Sequence, residues 1–382
     1  MILELEDLTH RYGDELAVDG VSVGLESGEL VAVLGPSGCG KTTIVQAIAG
    51  HVRPSGGRIR LRGVDVTDDP PEDRQVGIVF QHSTLFPHLT VEENIEYGLK
   101  ARNVPPGRRE ETVTRFLELV DLPEQRKAYP GELSGGQKRR VELARALAPE
   151  PDVLLLDEPL SALDRSLRVG LREEIARIQS ETGVTTLLVT HDQEEAMSLA
   201  DRLVVMDDGQ VAGIGPPREL YESPPSSFVS SFLGRSNALS AIVTGGSPPT
   251  IEIGGETARL PENVEPEPVP GSVDCHVRPG DVSLSVGVPD GSGDGGDDRN
   301  RVDADRNTVG NDRTPVDDVL SLPGAVRRVA DVGRRYDVTV ELETGEQLVA
   351  ERAARPPAPG TRVEVLIRSA DVTTFDPGTD HG

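Results

Sequence analysis

The chain has 382 residues, enough for two or three separately folded domains. It carries 65 acidic residues against 39 basic, a formal net charge of -26, and only four of the bases are lysine. That balance excludes the clustered cations of a nucleic-acid surface, so no nucleic-acid partner is expected. Its self-repulsion is screened by concentrated salt, so a salt-loving cytoplasm is the expected home.

In chain order, Met1 to Asp7 lacks the basic start and long apolar core of a signal peptide. No apolar run anywhere approaches the ~20 residues that span a bilayer. Work at a membrane would need another chain as anchor. Ile2 to Leu8 alternates as a half-buried strand, and Val18 to Leu25 supplies another. Between them Tyr12 is either an exposed aromatic that stacks on a base or a packed edge tyrosine.

Leu30 to Leu34 reads as a buried strand, and Ile44 to Ala49 as a helix closed by Gly50. Between them lies Gly35-Pro36-Ser37-Gly38-Cys39-Gly40-Lys41-Thr42-Thr43, which matches G-x-x-x-x-G-K-[ST]. Strand, glycine loop, helix is the context this pattern needs. The glycines let backbone N–H groups converge on phosphate oxygens, and the helix adds positive potential at its amino end. In such a loop Lys41 reaches the β and γ phosphates and the Thr42 hydroxyl can ligate Mg²⁺. Cys39 sits inside the loop, and with Cys275 it makes only two cysteines, too few for a disulfide framework.

Arg58 to Arg62 alternates as a strand, and Val76 to Phe80 reads as a buried strand ending at Gln81, which either faces a ligand or starts a loop. From about 83 to 150 the period is helical. Thr90 and Glu93 have capping-box spacing, and Val113, Phe116, Leu117 and Val120 share one helix face. Leu133-Ser134-Gly135-Gly136-Gln137 precedes a helix from Lys138 to Ala148. It is either a second anion-binding helix start or an ordinary Ser-Gly cap. Val153 to Leu156 then leads into Asp157 and Glu158, two carboxylates that are costly after an apolar run unless they bind something. In a phosphate-loop protein the first suits Mg²⁺ and the second can deprotonate water. A helix with Leu167, Leu171, Ile175 and Ile178 on one face follows. Thr185 to Thr190 is a further strand with His191 at its carboxyl end.

The phosphate loop, Gln81, Leu133 to Gln137, Leu155-Leu156-Asp157-Glu158-Pro159 and Thr190-His191 stand in one order. Together they resemble the nucleotide-binding subunits of ATP-binding cassette (ABC) transporters over residues 1 to about 235. The resemblance implies an α/β fold, a P-loop NTPase with a mixed β-sheet core and a helical subdomain at about 83 to 150. It implies an ATP hydrolase with ATP and Mg²⁺ as cofactors. By matching position, Tyr12 would stack on adenine, Gly35 to Thr43 would cradle the phosphates, and Gln81 would touch Mg²⁺ and water. Asp157 would be the Mg²⁺-associated carboxylate, Glu158 the general base and His191 the γ-phosphate switch. Asp164 would lie in the loop crossing a dimer interface. Ser134, Gly135, Gly136 and Gln137 would meet the nucleotide held by the other subunit's Lys41, so a homodimer closing over two ATP is implied. Implied partners are integral membrane permease subunits, reached through Ser83 to Leu89, and indirectly an extracytoplasmic binding protein. That places the chain peripherally at the cytoplasmic membrane face.

Past Arg235 the pattern turns to short strands: Leu239 to Val243, Thr250 to Ile253, Asp274 to Val277, Val326 to Val329, Tyr336 to Leu342, Gln347 to Ala350 and Arg362 to Ile367. Residues 236 to 382 resemble the all-β, oligonucleotide-binding-type (OB-like) barrel, TOBE-like, of importers for sugars, polyamines, ferric iron, sulfate and molybdate. His276-Val277-Arg278-Pro279-Gly280-Asp281 is similar to that group's Arg-Pro-Glu element, with Gly280 where Glu is usual. Residues about 289 to 318 hold almost no large apolar side chains and are expected to be a disordered acidic insertion. The resemblance favours a ferric iron, polyamine or oxyanion importer over a sugar importer or a soluble, non-transport ABC ATPase.

Overall fold

The computed structural model describes residues 1–161, 165–261, 270–286 and 318–376. Asp164 and residues 289 to 317 of the expected insertion lie outside them. The chain divides into two compact units, Met1–Pro225 and Ser226–Gly382.

In the first unit, β1 (Leu3–Tyr12), β2 (Glu15–Leu25), β4 (Gly56–Leu61) and β5 (Val64–Asp65) form an antiparallel sheet in the order β2-β1-β4-β5. The second sheet holds β3 (Leu30–Leu34), β6 (Val76–Val79), β7 (Val153–Asp157), β8 (Thr185–Val189), β9 (Arg202–Asp207) and β10 (Gln210–Gly215), in the order β10-β9-β3-β8-β7-β6. Pairing is parallel from β9 through β6, and only β10 is antiparallel. Every residue of β3, β7 and β8 is buried, as expected of unbroken apolar runs covered on both faces. Helix α1 (Lys41–Ile48) packs Ile44, Val45 and Ile48 into one apolar cluster with Leu5 and Ile59 from the first sheet and Val33, Leu155 and Leu187 from the second.

Three helices stand between β6 and β7: α2 (Val91–Ala101), α3 (Pro106–Leu119) and α4 (Gly135–Leu147). Thr90 and Glu93 close the expected capping box on α2, and Val113, Phe116, Leu117 and Val120 are buried along α3 and its cap. Helix α4 begins at Gly135, three positions before the expected Lys138. The Ser134 hydroxyl accepts from the Gln137 N–H while the Gln137 side chain accepts from the Ser134 N–H, and that reciprocal box draws both glycines into the helix. In α5 (Arg165–Thr182), Leu171, Ile175 and Ile178 are buried as expected, but Leu167 is 43% exposed. Spacing marks a face, and that face is buried only where a neighbour covers it. Helices α6 (Gln193–Leu199) and α7 (Pro217–Glu222) complete the unit.

The second unit opens with α8 (Ser227–Phe232) and has two antiparallel sheets. One has β11 (Asn237–Thr244), β12 (Thr250–Ile253), β13 (Glu256–Arg259), β14 (Gly271–Val277) and β20 (Val372–Phe375); the other has β15 (Val282–Ser285), β16 (Val319–Asp331), β17 (Tyr336–Leu342), β18 (Gln347–Arg352) and β19 (Arg362–Arg368). Alternating residues of both face a single apolar core that includes Leu239, Ile251, Cys275, Leu320, Val338 and Val365. Within this unit the Arg278 guanidinium donates to the carbonyls of Ser230, Gly234 and Arg235, so the His276 to Asp281 element fastens α8 to the sheets. Among the described residues, no helix is long and apolar enough to cross a membrane.

Candidate functional site

The phosphate loop leaves the carboxyl end of β3, the strand between β9 and β8. Two of its glycines are sterically required. A Cβ on Gly35 would lie 2.5 Å from the Cys39 sulfur and 2.5 Å from the Met206 carbonyl oxygen. On Gly40 it would lie 2.2 Å from the Ala17 carbonyl oxygen, and Gly40 also takes a φ of +94°. Pro36, Ser37, Gly38 and Thr42 are exposed, whereas Cys39, Lys41 and Thr43 are buried. The Lys41 ammonium donates to the carbonyls of Gly35 at 2.8 Å and Pro36 at 2.7 Å. Helix α1 has no side-chain cap and no acid in its first turn. Its amino end therefore keeps its positive potential toward the open mouth of the loop, which suits an anion.

Strand β7 delivers the two carboxylates with opposite settings. Asp157 is buried, and burial followed by the neighbouring Glu158 charge pushes its carboxyl above the usual range, against the pull of Arg139 and Lys41. Its Oδ1 is buried without a hydrogen-bond partner. An orphaned acid oxygen near the loop lysine fits a divalent cation shared with phosphate oxygens.

Glu158 takes a φ of 46°, left-handed backbone that costs a non-glycine residue about 1 kcal/mol or more. The surrounding structure holds it there. Its N–H donates to the Val189 carbonyl at 2.8 Å, and its carbonyl accepts from the Ser161 hydroxyl at 3.0 Å. The twist sets the carboxylate between two loops. Its Oε2 accepts from the Gln81 amide at 2.6 Å, and Oε1 lies 3.0 Å from His191 Nδ1. Three residues expected from separate strand ends thus meet at one carboxylate.

The loop bearing His191 is fixed from behind. Buried Thr190 donates to Glu195 Oε2 at 2.5 Å and accepts from the Asp192 N–H at 3.0 Å. Burial pushes the Glu195 carboxyl up to about 7. Sequence reasoning missed Glu195, although an acid five residues past a strand end, inside a helix start, is a detectable signal. It also missed Arg139 and Glu142, buried charges on α4 that share helical spacing with apolar Leu143 and Ala146.

Ser134 is exposed at the amino end of α4, and its box with Gln137 leaves Gly135 and Gly136 as side-chain-free residues between them. Tyr12, the last residue of β1, is 48% exposed. Its ring stands edge-on to His10 at 4.6 Å between centroids, and its hydroxyl lies 3.4 Å from the Gln46 side-chain oxygen.

Residues 18–161 match the ABC transporter family model, and residues 276–375 match the TOBE domain. The spermidine/putrescine import ATP-binding protein PotA of Acidothermus cellulolyticus is 43% identical over 367 residues, covering 92% of this chain and 87% of that protein. This chain belongs to the ATP-binding proteins of ABC importers. The family ATPase has further relatives across several cargoes. The Fe(3+) ions import protein FbpC of Fusobacterium nucleatum is 41% identical over 277 residues, covering 72% of this chain and 74% of its own. The sulfate/thiosulfate import protein CysA 2 of Chromobacterium violaceum is 48% identical over 280 residues, covering 73% and 75%. Among solved structures, cbiO1 from Clostridium perfringens, part of the ABC transporter complex cbiONQ, superposes with a TM-score of 0.54 at 31% identity, covering 57% of this chain and 90% of that one. The importer ATPase is an enzyme that binds and hydrolyses ATP.

Proposed function

We propose that this importer ATPase works as a homodimer, peripherally at the cytoplasmic face of the membrane, and drives uptake of a polyamine, ferric iron or an oxyanion through permease subunits fed by an extracytoplasmic binding protein. The observation that carries the chemistry is the Glu158 carboxylate held between Gln81 and His191, beside the orphaned Asp157 oxygen. The cargo class rests on relatives named for spermidine/putrescine, Fe(3+) and sulfate import.

In this proposal Gly35 to Thr43 cradle the triphosphate, with the Lys41 ammonium exchanging loop carbonyls for β and γ oxygens. Thr42, Asp157 and Gln81 would hold Mg²⁺, which when bound neutralises phosphate charge. Glu158 takes the proton of the attacking water, Gln81 and His191 fix the carboxylate that does so, and His191 also faces the γ phosphate. Tyr12 supplies a surface for adenine. Ser134 and Gly136, flanked by Gly135 and Gln137, complete the twin's nucleotide site, and Asp164 belongs to the loop that crosses between copies. Each copy is then half of two sites, and closure is coupled to transport.

Co-expression with its permease and reconstitution in vesicles tests this directly. ATP turnover should rise when binding protein loaded with one cargo class is supplied, among spermidine, ferric iron and sulfate. Failure of any polytopic membrane protein to co-purify, with turnover indifferent to all three, would overturn it.

The surface charge carries a second expectation, a salt-rich cytoplasm. A net charge of -26 destabilises the compact state by self-repulsion that salt screens. The thermal midpoint should rise by about 5 °C or more from dilute buffer to molar KCl, roughly 2 kcal/mol for domains of this size. An unchanged midpoint removes the salt adaptation.

A further inference from the structure

Helix α4 holds a buried ion pair that none of the roles above uses. Arg139 is 6% exposed and Glu142 is 3% exposed, and they meet at 2.8 Å. Two buried charges are retained only where nearly every polar atom is satisfied. Here the partners are backbone atoms of the two loops that carry Gln81 and Glu158.

The Arg139 guanidinium donates to the carbonyl of Phe80, immediately before Gln81, at 2.5 Å, and to that of Pro159 at 2.8 Å. A weaker bond at 3.4 Å reaches the carbonyl of Glu158 itself. Glu142 turns its other oxygen to the N–H of Thr84 at 3.0 Å. One turn further on, Arg145 donates to the Thr84 carbonyl at 2.7 Å and to its hydroxyl at 2.5 Å. Positions 139, 142 and 145 follow helical spacing, so one face of α4 grips residues 80, 84, 158 and 159.

We propose that Arg139 and Glu142 are positioning residues that lock the Gln81 and Glu158 loops to α4, so that Gln81 meets the Glu158 carboxylate only while the amino end of α4, at Ser134, keeps its place. This rests on the ATPase roles proposed above for Gln81 and Glu158. The left-handed backbone of Glu158 supports it, because a bond to its own carbonyl and another to the next one come from Arg139. Arginine suits the position since its planar fork serves several acceptors at once. Among the described residues the hydrogen bonds of Arg139 and Glu142 go to residues 80, 84, 158 and 159 and to each other rather than to the phosphate loop, so nucleotide binding and turnover should separate.

The test uses the purified full-length chain, assayed well below its thermal midpoint. Arg139→Gln should lower kcat by about 10- to 100-fold with KM for ATP within about twofold of wild type. Arg139→Lys, with charge but no fork, should recover part of the loss. In a double-mutant cycle, Arg139→Gln should cost much less once Gln81→Ala is present, because the loop it holds then has no amide to present. A purely structural role predicts that kcat and bound nucleotide fall together, that the cycle is additive, and that lysine rescues nothing. Wild-type kcat in folded Arg139→Gln, or an additive cycle, overturns the proposal. Should Arg139→Gln fail to fold, Glu142→Gln, which keeps the side-chain volume, takes the same kinetic and cycle measurements. If instead Glu158→Gln turns over at the wild-type rate, the underlying assignment fails first, whatever Arg139 does.

Discussion

Glu158→Gln is expected to bind ATP as wild type does, to lose about 10²- to 10⁴-fold in turnover, and to accumulate as an ATP-bound dimer. The geometry explains why binding survives. Glutamine is isosteric, and its carbonyl oxygen can still accept from the Gln81 amide that now meets Oε2 at 2.6 Å. Its NH₂ then faces His191 Nδ1, a contact the neutral tautomer with its proton on Nε2 accepts. The left-handed backbone at this position is held by Val189, Ser161 and Arg139, none of which contacts the carboxylate, so the side chain stays aimed as before. Only the proposed base is gone. On the proposed assignment water then lacks its proton acceptor, and the proposed closed dimer has no exit by hydrolysis. Size-exclusion chromatography with ATP reads the dimer, and phosphate release reads the turnover. A variant that stays monomeric in ATP, or that turns over normally, contradicts both the base assignment and the shared site.

The elements most legible in the sequence were those where one local rule governs. The buried runs Leu30 to Leu34, Leu154 to Leu156 and Thr185 to Val189 are strands because no solvent face asks for alternation. Thr90 with Glu93 caps α2 as written. Gln81, Glu158 and His191 stand just past the ends of β6, β7 and β8 because parallel sheets present their carboxyl ends to ligands. What resisted was set by tertiary contact. Leu167 repeats the pattern of Leu171 and Ile175, yet it stays 43% exposed. Strand β16 begins at Val319, ahead of the expected Val326, and runs through Pro323 and Gly324. Pro323 escapes the usual penalty because β17 pairs with β16 only from Gly324 onward, and its carbonyl still accepts from Glu343. Gly324 is needed because a Cβ there would approach the Glu341 carbonyl oxygen to 2.8 Å. Arg139 and Glu142 were not singled out by sequence, because it is the fold of two distant loops onto α4 that buries them.

Lys41→Ala should instead abolish high-affinity nucleotide binding while leaving the fold in place. The lysine is 7% exposed, yet its ammonium is bonded to two loop carbonyls and the Cys39 sulfur lies 3.7 Å away. Those contacts compose a parking position: they are neutral-acceptor bonds that triphosphate oxygens can replace with stronger, doubly charged ones. Removing the side chain therefore subtracts an ion–ion interaction from the bound state and only the weaker bonds of a cation to neutral carbonyls from the free state. The difference, about 2–3 kcal/mol, is a loss of roughly 30- to 150-fold in affinity. The apolar faces of α1 lie on the far side of the loop chemistry, in Ile44, Val45 and Ile48, so the thermal midpoint without nucleotide should move little. Calorimetric titration with ATP measures the first quantity and a melting curve the second. ATP should also stop raising the melting temperature, because a ligand stabilises only what it binds. Wild-type affinity in the folded variant would mean that the loop grips phosphate through its backbone alone, and would move Lys41 from ligand binding to holding Gly35 and Pro36 in shape.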